Sequence, residues 1–134
     1  MGVYLLLDNS ASMGLAAATA DQNTMLAKIG CVFACHTDEG SLYWVGGVAY
    51  HTTYDASQAL GVTLRRDVMN TAAKKVISMI NTADPTHTRI KVGVYYFNTT
   101  VYTAQDLTYD TTKATSALSS SYSTQGVEIG RAHV

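Results

Sequence analysis

In the stretch LLLDNSASMG, residues 5–14, an apolar run gives way at once to Asp8, Ser10 and Ser12, three oxygen-bearing side chains on alternate positions. Alternate residues in a turn just past a strand can aim at a common point. One carboxylate and two hydroxyls would suit a hard cation such as Mg2+, which takes oxygen ligands in an octahedron and keeps some waters. With a single formal negative charge in the set, the ion would stay net positive and hold a position open for an acidic group from a partner. The competing reading is a capped loop whose hydroxyls bind backbone amides. An Asp-nucleophile phosphatase is disfavoured, because Ser10 stands where the acid that protonates the leaving group would be. Neither glycine of a G-x-S-x-G elbow flanks Ser10, and no phosphate-cradling glycine loop or metalloprotease pattern occurs. A non-catalytic binding module is therefore expected.

Cys31-Val-Phe-Ala-Cys35-His36 is a second constellation. A disulfide between Cys31 and Cys35 is the first choice, if the Cα atoms can approach within about 4.4–6.8 Å. Reduced structural thiols come next. A zinc site with Cys31, Cys35 and His36, completed by Asp38 or His51, has no paired knuckle to support it. Haem attachment needs C-x-x-C-H, which one extra residue spoils. Tyr43, Trp44, Tyr50 and Tyr54 could offer a recognition surface, but aromatics in a long insertion more often pack it down. His87 reads as a solvated turn residue. Arg65 and Arg66 oppose the dipole of the helix they start, so Asp67 or Asp55 is expected as a carboxylate partner.

The elements that must position these residues follow from periodicity. Gly2–Asp8 is a short continuous apolar run, which predicts a central strand buried on both faces, as in a parallel sheet. Ser10–Asp55 lacks sustained periodicity and reads as a long loop-like insertion. From Thr63, a candidate N-cap, Leu64, Val68, Ala72, Val76 and Ile80 recur at i+4, with Met69, Ala73 and Ile77 widening the stripe of a helix closed by Asn81–Pro85. Arg89–Phe97 alternates Ile90, Val92, Val94 and Tyr96 on one face of a strand. Asn98-Thr-Thr then turns into a hairpin partner at Val101–Ala104. Asp106–Ser120 reads as a second helix, with Leu107, Ala114, Ala117 and Leu118 apolar. Strand, crossover helix and strand imply a parallel pair, with Asp8 at the carboxyl end where open α/β sheets bind ligands.

With 134 residues the chain suits one domain, though a sheet covered by helices on both faces usually needs more. Nine basic against ten acidic side chains leave no electrostatic footprint for nucleic acid or a membrane surface. No apolar run is long enough to span a bilayer. The strand begins almost at Met1, which is expected to be an internal methionine. Glu128–Val134 back-translates to a string resembling the opening of a common short-read sequencing adapter, so residues 128–134 are set aside as an expected artefact and 1–127 taken as the domain.

Beyond the spacing, LLLDNSASMG resembles the Asp-x-Ser-x-Ser-Met element of von Willebrand factor A domains, whose metal-ion-dependent adhesion site follows the first strand. The stretches DNSASMGLAAATA, GCVFACH, ALGVTLRRDVMNTA and IKVGVYYFNTT resemble TadG-like proteins of the tight-adherence (Flp) pilus assembly system. The resemblance implies a partial, Rossmann-type open α/β sheet, mostly parallel, with helices on both faces and an insertion over about residues 14–60. It implies Asp8, Ser10 and Ser12 as ligands of Mg2+, or of Mn2+ or Ca2+, with Asp8 often acting through water. The family's later threonine and aspartate find no convincing match, Thr124 lacking the expected surroundings. The implied role is metal-dependent binding of a protein that presents an acidic residue, such as a pilus or envelope component. The implied place is the bacterial cell envelope, periplasmic or cell-surface, with membrane attachment only through an upstream anchor. That compartment is oxidising and suits the Cys31–Cys35 bridge. A structural envelope protein with a vestigial site is the alternative. In this family the first strand is central, so loss of its later neighbours would leave Leu5–Leu7 as an exposed apolar edge, and aggregation or weak stability is expected.

Overall fold

A computed structural model of the chain describes residues 1–32, 34 and 42–118. These fall into two compact units, one of residues 1–9 and 69–118, the other of residues from 10 to 68. The long central helix starts in the second unit and continues in the first.

The first unit is built on a three-stranded sheet in the order β1 (Gly2–Asp8), β4 (Lys91–Phe97), β5 (Val101–Thr108). β1 runs parallel to β4 in unbroken register from Gly2 opposite Lys91 to Asp8 opposite Phe97, as the strand–helix–strand order requires. β5 returns antiparallel through the Asn98–Thr100 turn, where the Asn98 side-chain oxygen accepts from the backbone N–H groups of Thr99 and Thr100. A register shift near Val94 marks a bulge in this pair. The sheet is thus mixed, and it makes the chain an α/β protein. The expected hairpin partner is longer than predicted, since Asp106 and Leu107 lie in β5 rather than in a helix.

The expectation that β1 is central and doubly buried fails among the described residues. β1 lies at the edge of the sheet, and its exposures alternate: Tyr4 is 63 % and Leu6 57 % exposed while Leu7 is buried. An apolar run with one covered face has the same composition as one with two, so periodicity could not separate them. On the open face the Tyr95 ring lies directly over Gly93, 2.7 Å from where a Cβ would stand, and its centroid is 5.9 Å from that of Tyr4, the two rings tilted by 33°.

The other face carries the core of this unit. Val92, Val94 and Tyr96 alternate inward from β4 as predicted, and Leu7 joins them from β1. Against them pack α3 (Arg65–Ala83), with Ala73, Ile77 and Ile80 buried, and α4 (Thr111–Ala117), with Ala114 and the following Leu118. The helix is the one expected, but the stripe is rotated. Val68 and Met79 are 52 % and 69 % exposed, and Ala72 and Val76 face outward with them. The buried row is Ala73, Ile77 and Ile80, with Met69 partly buried beside it; Ile80 belongs to the expected stripe, the other three to its margin. α4 starts five residues later than expected because Asp110 caps it, its Oδ1 accepting from Thr112 and Lys113 N–H groups at 3.0 and 3.3 Å. Polar ties complete the unit: Asn70 Nδ2 donates to Leu118 O at 3.1 Å, and Thr111 Oγ1 to Asn81 Oδ1 at 2.7 Å.

Between α3 and β4 the chain turns around Asp84, which is almost fully buried. Its Oδ2 accepts the N–H groups of Arg89 and Ile90 at 2.9 and 2.8 Å, and its Oδ1 those of Thr88 at 3.3 Å and the Thr86 hydroxyl at 3.4 Å. Burial pushes the carboxyl up, but these four donors outweigh it and hold Asp84 at about 2, below its ordinary 3.8. His87 is exposed in this turn as predicted, with a positive φ of 55°.

The second unit was expected to be irregular, yet it has its own elements. A single 3-10 turn (Ala11–Gly14) leads to α1 (Thr19–Lys28), the hairpin β2 (Tyr43–Val45) and β3 (Val48–Tyr50), and α2 (Thr53–Ala59). Gly46 and Gly47 join the hairpin with φ of 58° and 81°, the pair of positive values that a tight type I′ turn demands. Gly47→Ala should therefore cost about 1 kcal/mol, read as a lowered unfolding midpoint of the Trp44 fluorescence transition; an unchanged midpoint would contradict the turn assignment. Thr52 caps α2, its hydroxyl accepting the Asp55 N–H at 3.0 Å. Ala16, Met25, Ala34, Val62 and Leu64 form the core, with Ile29, Tyr54 and Leu60 against it. Burial first, then the Asp67 carboxylate, raises the Tyr54 phenol above its ordinary value.

Thr63 does not cap α3. Its backbone is held by Ala17, whose N–H donates to Thr63 O at 2.9 Å, and by Asp21, whose Oδ2 accepts the Thr63 N–H at 3.2 Å. The helix start is instead closed by Asp67, which accepts the Leu64 N–H at 2.8 Å. Asp67 thus serves the backbone, and Arg66 is buried. Of the four aromatics expected to pack, Tyr54 does so, Tyr43 and Tyr50 are half-buried, and Trp44 is exposed. Among the described residues no helix is long and apolar enough to cross a membrane.

Candidate metal centre

Asp8 is the last residue of β1, at the carboxyl end of the strand, where it was expected. The strand is fixed there because the Asn9 N–H donates to Phe97 O at 2.7 Å, one step beyond the Asp8–Phe97 register pair. Asn9 itself is buried.

Ser10 and Ser12 follow in the 3-10 turn. The Met13 N–H donates to Ser10 O at 3.0 Å and the Leu15 N–H to Ser12 O at 3.3 Å, so the backbone carbonyls shape the turn. Ser10 has extended backbone, and its side chain makes no cap to the turn. The two hydroxyl oxygens lie 3.0 Å apart on the surface. This spacing is the test of fit. Two neighbouring oxygens of a Mg2+ octahedron, each about 2.1 Å from the ion at a right angle, stand about 3.0 Å apart. The pair, hydrogen-bonded to each other in this structure, has the separation of adjacent ligands.

The structure thus brings Ser10 and Ser12 together. Asp8 belongs to the first unit and the serines to the second. Among the described residues no group of three or more His, Cys, Asp or Glu side chains is placed to hold a metal, a test that does not bear on a set with two hydroxyls. Thr124 lies outside the described residues. So do Cys35, His36 and Asp38, and with them the expected Cys31–Cys35 bridge and the zinc and haem alternatives; Cys31 is half-buried. His51, the other candidate fourth zinc ligand, is exposed just before α2.

Because the Ser12 hydroxyl bonds its neighbour in an exposed turn, Ser12→Ala should change stability by less than about 0.5 kcal/mol. Chemical denaturation checks this, and a loss above 1 kcal/mol would assign the hydroxyl to the fold instead of to a ligand.

Comparison of the chain with protein-family models, with curated proteins and with solved structures finds no match in any of the three.

Proposed function

We propose that the chain is a metal-ion-dependent protein-binding module, with Asp8, Ser10 and Ser12 holding Mg2+, or Mn2+ or Ca2+ in its place. The observation that carries this reading is the Ser10–Ser12 hydroxyl pair, 3.0 Å apart directly after the carboxyl end of a strand of a parallel pair. The ion would supply an electrophilic contact for a carboxylate. The residues' own part is to orient three oxygens and leave the remaining positions to water or to the partner's acid. No catalysis is assigned, since Ser10 stands where the second acid of an Asp-nucleophile phosphatase would be.

The fold belongs to the same proposal. A parallel β1–β4 pair connected through α3, followed by an antiparallel return, agrees with a partial von Willebrand factor A-like sheet, and the motif resemblance gives that reading its direction. Under it the setting is the bacterial cell envelope and the partner a pilus or envelope component that presents an acidic residue.

Calorimetry of the full chain with Mg2+ and Mn2+ tests the site. Saturable uptake is expected, reduced at least tenfold in Asp8→Ala with the far-UV spectrum unchanged. No uptake by the parent chain would favour a structural envelope protein with a vestigial site. Turnover of a general phosphatase substrate that is abolished by the same substitution would replace binding with catalysis.

A further inference from the structure

We draw no further inference here: the strongest candidate, the sheet face of the first unit that carries Tyr4, Leu6 and Tyr95, is an apolar surface open among the described residues, and nothing in the structure shows what covers it.

Discussion

Replacing Ile77 with alanine is expected to unfold the sheet unit, whereas replacing its neighbour Val76 is not. Ile77 is 1 % exposed and sits among Val92, Val94 and Leu118, so truncation removes transfer energy and leaves a cavity that the sheet cannot close. Such a change costs about 2–5 kcal/mol, against a total of about 5–15 for a typical domain. A unit of about 60 residues buries only about 60 % of the surface of its unfolded chain and stands at the low end of that range. Val76 lies one residue round the helix, 36 % exposed and outside the buried cluster, where alanine's better propensity offsets much of the area lost. Its variant should stay within about 0.5 kcal/mol of the parent. Urea unfolding followed by circular dichroism compares the two. Equal losses, or a larger one at Val76, would return the helix to the orientation that its i+4 pattern first implied.

A second large effect is expected at Asp84. Alanine there strips the acceptor from three backbone N–H groups and one hydroxyl that tie the end of α3 to the start of β4. The Arg89 guanidinium, 3.8 Å away and mostly exposed, adds little to this. The melting temperature at neutral pH should fall by on the order of 10 °C. The acid dependence gives a sharper test. The folded carboxyl titrates at about 2 and the unfolded one near 3.8, so its contribution is complete above pH 3.8 and is lost as the pH falls through about 2. Asp84→Asn should therefore be less stable than the parent at pH 7 and lose less on acidification, the two curves converging towards pH 2. Parallel curves would show that the carboxylate's charge is not what the turn uses.

What the sequence disclosed of this fold followed physical rules that act locally. The alternation of Val92, Val94 and Tyr96 named the inner face of β4, and the parallel pairing of β1 with β4 followed from the helix between them. The orientation of α3 was not legible, since Val68, Ala72 and Val76 are as apolar as Ala73 and Ile77, and only packing against the sheet chooses between adjacent stripes. Three further elements did leave signals. Gly46-Gly47 between short apolar runs marks a hairpin, Thr52 three residues before Asp55 marks the start of α2, and Asp110 before Thr111-Thr112 marks the start of α4. The hairpin and α2 were hidden by the absence of a long period, and α4 was read as starting five residues too early. At the candidate site the alternate spacing was plain in the sequence. The mutual hydrogen bond of the two hydroxyls was not, because it depends on a 3-10 turn that no composition rule specifies.

Gly93 contributes by what it lacks. Its bare α-carbon is the floor on which the Tyr95 ring rests, and even one methyl would have to occupy space already filled by aromatic carbon. The position is therefore closed to substitution while the ring stays where it is. A larger residue there would displace the tyrosine and cost the sheet the ring contact that Tyr95 makes with Tyr4.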